Sequence, residues 1–136
     1  MLHEPTQVAF YTTKFGFLQR ADAPKEPLDK QFIWMAKLTA KPGKRDEVLE
    51  AARIHTANVE RDENETYSFV VLESQDNDVD LLLFERYSSE KYFKEVHFTS
   101  ESMKEYRGKV SLLALADTDV SDLTSLTDWP IARGKG

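Results

Sequence analysis

The stretch FERYSSEKYFKEVHF, residues 84–98, places acidic and phenolic side chains and one histidine among aromatic residues. His97 is the first candidate for chemistry, because an imidazole has a pKa near neutrality and exchanges protons at physiological pH. A phenolic or enolic substrate would lose its proton to such a base. The structural alternative is that His97 only caps or packs the junction between two helices.

His55 is the second candidate. It follows Val48 and Ala52 and precedes Val59 at spacings of four, three and four residues, so all of them share one helical face. This pattern turns His55 inward. It is then either a catalytic group on the wall opposite His97 or a histidine satisfied within the core.

Glu85 lies between apolar neighbours in a predicted strand, where a carboxylate must be paired or solvated. The simpler interpretation is a structural ion pair with Lys37 near a subunit contact. The nearby Tyr87 and Tyr92 can each donate a phenolic hydroxyl, although such tyrosines also occur at pocket rims and on surfaces.

Four aromatic side chains are candidates for stacking on an aromatic substrate: Trp34, Tyr67, Phe84 and Phe93. Rings of this kind bury large apolar areas, so the alternative is that they belong to the core. The pattern alone leaves both interpretations open.

Composition excludes several kinds of site. The chain has no cysteine, three histidines without metal-ligand spacing, five glycines and no nucleotide-binding fingerprint. We therefore expect no metal and no tightly held cofactor. The net charge of −6 disfavours nucleic acid and anionic membranes as partners, and the absence of a signal-like or membrane-spanning segment predicts a cytoplasmic protein.

The hydrophobic patterns predict a short series of elements. Strands are expected at residues 32–40, 66–74, 79–87 and 119–129, and helices at 44–61, after Ser88 or Ser89, and after Thr99 or Ser100. In the last helix, one face carries Met103, Tyr106, Val110 and Leu113. The hairpin loop at 75–78 makes the two strands around it antiparallel.

This order predicts an α+β, ferredoxin-like β-α-β-β-α-β domain over residues 31–129. Residues 1–30 are predicted to form an N-terminal arm and linker, in which VAFYTTKFGFLQ could pair as a strand. Residues 130–136 are predicted to be a C-terminal tail. We expect a surface outside the barrel of its own subunit to hold the arm.

The central strands are apolar on both faces, whereas helices in this topology cover only one face. A second copy of the same sheet is the simplest cover for the other face. The sequence therefore predicts a homodimer, with Ile33, Met35, Leu81 and Leu83 as candidate contact residues.

Three segments together resemble the antibiotic biosynthesis monooxygenase family: AKPGKRDEV, ENETYSFVVLES and LLLFERYSSEKYFKEVHFTSESM. The resemblance covers about residues 32–116, and FERY followed by EVHFTSE is its most specific part. It implies a dimeric α/β barrel with an aromatic-lined pocket between sheet and helices in each subunit. Family members differ in chemistry, from cofactor-free oxygenation of phenols and anthrones to haem degradation, isomerisation and lactone rearrangement.

Residue differences within the resemblance make some of these activities less expected than others. The haem-degrading branch uses an Asn in the first strand and a Trp and His ten residues apart, where this chain has Ala36, His97 and Arg107. Haem degradation is therefore not expected. Some phenol oxygenases of the family also use the first-strand Asn, so Ala36 would line the pocket without that function.

Two classes of function remain. One is a cofactor-independent enzyme acting on a hydrophobic phenolic or polycyclic, polyketide-like molecule, either as a monooxygenase or as a cyclase, isomerase or decarboxylase. In both versions His97 and His55 are the catalytic candidates, and Trp34, Ala36, Tyr67, Phe84 and Phe93 are the substrate-binding candidates. The other is a non-catalytic dimer that binds a small molecule or a partner protein.

Overall fold

The computed structural model describes residues 9–20, 31–115 and 120–122. Its strands are β1 (Tyr11–Phe17), β2 (Phe32–Thr39), β3 (Thr66–Ser74), β4 (Asp80–Tyr87) and β5 (Val120–Asp122). Its helices are α1 (Arg45–Asp62), α2 (Glu90–Tyr92), a π-helix (Phe93–His97) and α3 (Glu101–Leu113). The predicted last strand is thus confirmed at 120–122, and the linker 21–30, the segment 123–129 and the tail 130–136 lie outside the described residues.

All five strands form one antiparallel sheet in the order β1-β3-β4-β2-β5. Without β1, this is the order of a ferredoxin-like fold, as predicted. The hairpin between β3 and β4 follows from the polar loop at 75–78. No helix among the described residues has both the length and the apolar run needed to cross a bilayer.

Strand register decides which side chains face the helices. Trp34 pairs with Glu85 and Ala36 pairs with Leu83, so these residues share the inner, helix-covered face. Met35 pairs with Phe84, and both therefore point to the opposite, outer face.

Three placements predicted from the sequence are therefore wrong. Leu81 and Leu83 are buried in the core beneath the helices, not on the outer face. Phe84 lies on the outer face, not beside Trp34. The reason is that β4 is apolar on both faces, so alternation along the strand does not identify the buried face.

The core lies between the inner face of the sheet and helices α1 and α3. The α1 face predicted from spacing is buried at Val48, Ala52, His55 and Val59. The α3 face is also confirmed: Tyr106 and Val110 are buried, and Met103 and Leu113 pack against the same core.

The segment between β4 and α3 positions His97. Ser89 caps α2 by accepting a hydrogen bond from the backbone N–H of Tyr92 at 3.0 Å, and Ser100 caps α3 in the same way from Met103. Between these caps, the backbone N–H of Phe98 donates to the carbonyl of Phe93 at 2.8 Å, a π-helical bond. Single π-helical turns are rare and are often found at functional sites.

Strand β1 pairs with β3 of its own chain rather than extending away from the sheet. The register shifts between Thr13 and Phe15, which is a β-bulge. Gly16 follows with φ of +119°, a conformation that side chains with a Cβ rarely adopt. The expectation that a surface outside its own barrel holds the arm is therefore wrong over Tyr11–Phe17, where the edge of the chain's own sheet holds it.

We expect Gly16→Ala to detach β1 and lower the melting temperature. A Cβ at this position would overlap the carbonyl oxygen of Phe69, and the positive φ adds backbone strain. Gly108→Ala is the matched control, because a Cβ there meets nothing within 4 Å and alanine favours helix. Thermal unfolding of both variants checks this expectation, and an unchanged melting temperature in Gly16→Ala would contradict it.

Candidate active site

A cavity of about 360 Å³ opens between the inner sheet face and helix α3. Its wall is mainly apolar. Glu85 and His97 form the buried polar part of the wall, whereas Phe98 and Arg107 are solvent-exposed. The remaining lining residues are Trp34, Ala36, Lys37, Leu38, Leu83, Phe93, Met103, Tyr106 and Val110. A mostly apolar cavity with few convergent polar groups is typical of a small-molecule site.

His97 is held by a buried carboxylate. Its Nδ1 lies 2.8 Å from Oε1 of Glu63, and only 1% of the His97 side chain is exposed. Glu63 also accepts a hydrogen bond from the hydroxyl of Thr66 at 2.8 Å. Because a carboxylate only accepts, Nδ1 of His97 carries the proton, and Nε2 is the nitrogen free to accept one.

Glu85 lies on the Nε2 side of the same imidazole. Its Oε1 is 4.0 Å from Nε2 of His97 and accepts a hydrogen bond from the Tyr87 hydroxyl at 2.5 Å. The 4.0 Å separation is too long for a direct hydrogen bond. It does allow one substrate oxygen to lie within hydrogen-bond distance of both groups. Two titratable side chains therefore lie close together on the cavity wall.

Burial shifts the pKa values of this cluster. Desolvation raises the pKa of Glu85 above its usual 4.5, against smaller opposing effects of His97 and the Tyr87 hydroxyl. Burial, followed by the neighbouring Glu85, holds the pKa of Tyr87 well above its usual range, so the phenol stays protonated and donates. A carboxyl with a raised pKa is a stronger base when ionised than an ordinary carboxylate.

His55 lies behind this cluster and does not line the cavity. Its ring stacks on Tyr106 at 4.8 Å between centroids and is 5.4 Å from the ring of His97. Nδ1 lies 2.7 Å from the hydroxyl of Ser102, which also accepts from the amide of Asn58. His55 contacts the cavity wall through Tyr106 and does not itself line the cavity.

Burial, with a smaller effect of His97, lowers the pKa of His55 from 6.5 to about 3. Between pH 6.5 and about 3, His55 is therefore protonated in the unfolded chain but not in the folded chain. The free energy of unfolding consequently decreases as the pH falls through this range. We expect His55→Gln to reduce the slope of the free energy of unfolding against pH by up to about 1.4 kcal/mol per pH unit. Urea unfolding across this pH range, compared with wild type, is the measurement. Parallel curves for the two proteins would contradict the expectation.

The aromatic candidates divide between three locations. Trp34 and Phe93 line the cavity, with ring centroids 5.1 Å apart, and Ala36 lies beside them. Phe84 lines a separate depression on the outer face. Tyr67 is buried at 3% exposure but does not line the cavity.

Sequence reasoning missed Glu63 and assigned Glu85 to the wrong contact. Lys37 lies 3.8 Å from Asp80 and is not the partner of Glu85. The burial of Glu85 was signalled by its apolar neighbours in β4. Glu63 follows α1 within the acidic run DENE, which gives no sign that one carboxylate turns inward.

Among residues 9–20, 31–115 and 120–122, no group of three or more His, Cys, Asp or Glu side chains is arranged to hold a metal ion. The polar groups of the cavity wall are instead held by Glu63 and Tyr87, which bond His97 and Glu85 respectively. Their arrangement is suited to moving a proton to or from a substrate oxygen or an adjacent carbon.

The family model described as antibiotic biosynthesis monooxygenase matches residues 31–109, which is more than half of the 136-residue chain. No curated protein matches the chain in sequence.

Solved structures share the fold. Rv0793 from Mycobacterium tuberculosis is 27% identical, with a TM-score of 0.61 over 68% of this chain and 92% of its own. A candidate antibiotic biosynthesis monooxygenase from Nitrosomonas europaea is 19% identical, with a TM-score of 0.63 over 68% and 88%. A candidate monooxygenase from Lactobacillus acidophilus is 14% identical, with a TM-score of 0.66 over 79% of this chain, which spans only 46% of that protein.

Proposed function

Since the chain belongs to the antibiotic biosynthesis monooxygenase family, we propose that it oxidises a hydrophobic phenolic or enolic, polyketide-like molecule with O₂ and without a tightly held cofactor. The observation that carries this proposal is the buried Glu63–His97–Glu85 cluster on the wall of an apolar cavity. The cavity would exclude water, and the cluster would ionise the substrate.

The first step is proton removal. His97 and Glu85 both line the cavity, and either Nε2 of His97 or the carboxylate of Glu85 accepts the single proton of a phenol, an enol or an adjacent C–H. Glu63 stabilises the imidazolium that forms, because its carboxylate holds Nδ1–H at 2.8 Å. Trp34 and Phe93 would stack against the flat ring of the substrate.

The second step is reaction of the substrate carbanion with O₂. One electron passes from the carbanion to O₂. The resulting substrate radical and superoxide then combine, and addition of a proton gives a carbon-bound hydroperoxide. Loss of the second proton from that carbon expels hydroxide, which takes a proton to leave as water. A CH₂ group and O₂ thus become a carbonyl group and H₂O, with the protein returning to its starting state.

Oxygen uptake with a panel of anthrones and hydroquinones tests this function. We expect consumption of one O₂ per carbonyl formed from an anthrone, with wild-type protein and no added cofactor. Glu85→Gln is the matched negative control, because it keeps the shape and the Tyr87 contact but removes the ionisable group. No uptake above the uncatalysed rate across the panel would argue against an oxygenase.

A non-oxidative reaction on a similar substrate is the second candidate. Ala36, a cavity residue, stands where some phenol oxygenases of the family carry an asparagine, which favours this version. Proton abstraction by the same cluster would then drive cyclisation, isomerisation or decarboxylation. Product formed from the same panel without O₂ uptake would identify it, and binding without any product would indicate a non-catalytic dimer.

A homodimer is the proposed assembly, with the outer face of the sheet as its contact. Met35, Val70, Leu72, Leu82 and Phe84 line an apolar depression of about 340 Å³ on that face. Burying one such side chain contributes about 1.5–3 kcal/mol, so a second sheet is a favourable cover. The small-molecule substrate and a cytoplasmic location are part of the same proposal, and neither nucleic acid nor a membrane is a proposed partner.

We expect Phe84→Asp to convert the dimer to monomers, because the new charge would have to be buried in an apolar contact. Leu112→Asp is the control, since Leu112 is 74% exposed on α3 and away from this face. Sedimentation velocity at micromolar concentration distinguishes the two states. A wild-type monomer at that concentration would contradict the assembly.

A further inference from the structure

We infer that Arg20, which precedes the family-matched segment, is a positioning residue that holds Glu63 and, through it, the proton-accepting form of His97. This inference rests on the proposed function, because it assigns Arg20 a part in preparing the same base. It gives the N-terminal arm a role in the active site as well as in the sheet.

Arg20 donates hydrogen bonds to four backbone carbonyls where α1 ends and β3 begins. Its Nε donates to the carbonyl of Thr66 at 2.6 Å, and its Nη2 donates to those of Val59, Glu60 and Glu63 at 3.1, 2.9 and 2.8 Å. Val59 and Glu63 also accept main-chain hydrogen bonds, from the N–H of Glu63 at 2.9 Å and of Thr66 at 3.2 Å, and Arg20 adds a positive charge where the helix dipole leaves partial negative charge. A planar guanidinium with five donors is suited to such a group of acceptors.

The same backbone carries the carboxylate that orients His97. Glu63 and Thr66 are two of the four residues whose carbonyls Arg20 bonds, and their side chains bond each other at 2.8 Å. Glu63 is 5% exposed and its Oε1 also contacts Nδ1 of His97. Arg20 therefore fixes the main chain on both sides of the carboxylate, without touching the cavity itself.

The arm is held firmly enough for this task. The guanidinium of Arg20 lies 4.7 Å from the centroid of the buried Phe17 ring at the end of β1. The carbonyl of Leu18 accepts hydrogen bonds from the Ser68 hydroxyl and, at 3.4 Å, from Arg86. Phe17 and Leu18 thus place Arg20 beside the loop of Glu63.

Loss of Arg20 would leave this turn to its own hydrogen bonds alone, and the Glu63 carboxylate would hold Nδ1–H of His97 less firmly. A neutral imidazole that loses its Nδ1 acceptor distributes its proton between both nitrogens. Nε2 would then carry the proton in part of the molecules, and these could not act as a base at the cavity. Displacements of about 1 Å in such supports can cost about 10²-fold in rate.

Long-range ¹H–¹⁵N spectra of the histidine rings, recorded on the full chain without substrate, test the inference. In wild type, we expect the His97 signals of a single tautomer with Nδ1 protonated, assigned by comparison with His97→Gln. In Arg20→Gln, the two ring nitrogen shifts should move towards each other. With an active substrate, kcat should fall about 10²-fold at little change in KM.

Arg86→Gln is the matched control, because Arg86 also holds the arm, through Leu18 and Gln19, but does not contact the Glu63 loop. It should leave the His97 signals unchanged. Unchanged signals in Arg20→Gln would overturn the inference, as would equal changes in both variants, which would reflect docking of the arm in general.

If Arg20→Gln fails to fold, Arg20→Lys is the variant that tests the inference. Lysine keeps the charge but cannot bond four carbonyls, so the same movement of the His97 nitrogen shifts is expected in it. The ring spectra do not depend on turnover. Full activity in His97→Ala would therefore refute the proposed function. The effect of Arg20 on the His97 tautomer would still be tested by the ring spectra alone.

Discussion

Replacing His97 by alanine is expected to reduce turnover by about 10²–10⁴-fold, the usual scale for an acid–base group. The reason is that His97 lines the cavity while its Nδ1 is fixed on Glu63 at 2.8 Å, so Nε2, on the Glu85 side, is the nitrogen left to accept a proton. Steady-state rates with a substrate found by oxygen uptake provide the measurement.

The same variant removes one of the two side-chain donors of buried Glu63 and leaves only the Thr66 hydroxyl, which costs about 1–3 kcal/mol of stability. Activity must therefore be compared at a temperature where circular dichroism shows both proteins folded. His97→Gln is the second variant, since its amide can still donate to Glu63 but is no base. Full turnover in either folded variant would show that His97 is only a packing residue at the start of α3.

Glu85→Gln is expected to lower turnover by about 10²–10⁴-fold and, unlike the His97 variant, to increase stability at neutral pH. Burial raises the pKa of Glu85, so the folded chain keeps a proton that the unfolded chain has released. The free energy of unfolding therefore falls as pH rises above about 4.5, by up to about 1.4 kcal/mol per unit, until the folded pKa is passed. The glutamine, which still accepts from Tyr87, removes this loss.

Urea unfolding from pH 4 to 8, together with a pH–rate profile of wild type, checks both parts. The acid limb of the rate should lie above the ordinary carboxyl range, because Glu85 must be ionised to act as a base. Glu85→Asn is a useful control for side-chain length. A variant that loses activity without changing the pH dependence of stability would contradict the assignment of a raised pKa to Glu85.

The elements of this fold are readable from the sequence because each has local signals. Strand β3 was predicted at its observed bounds of Thr66 and Ser74, and the inward face of α1 followed from helical spacing. Each helix after β4 was predicted to begin at one of two neighbouring residues, and the structure shows that Ser89 and Ser100 are the caps. Signals of this kind depend on neighbours in the chain, which a sequence displays directly.

The site was less accessible because it depends on contacts between distant residues. Glu63 and His97 are 34 positions apart, and nothing in DENE distinguishes the buried carboxylate from solvated ones. The faces of β4 were misassigned because both are apolar, so only the pairing of Met35 with Phe84 resolves them. Arg20, within a segment that resembles a tail, gave no local sign of its four carbonyl contacts.

The central claim is that the Glu63–His97–Glu85 cluster takes a proton from a bound phenol, and a chromophoric phenol that cannot be oxidised tests it most directly. Absorbance reports the phenolate fraction of such a probe, free and bound, at a pH where it is mostly protonated in water. We predict a larger phenolate fraction on wild-type protein than in water, and no such increase on folded Glu85→Gln or His97→Gln. A probe that binds in the cavity fully protonated, or that ionises equally on all three proteins, would contradict the account.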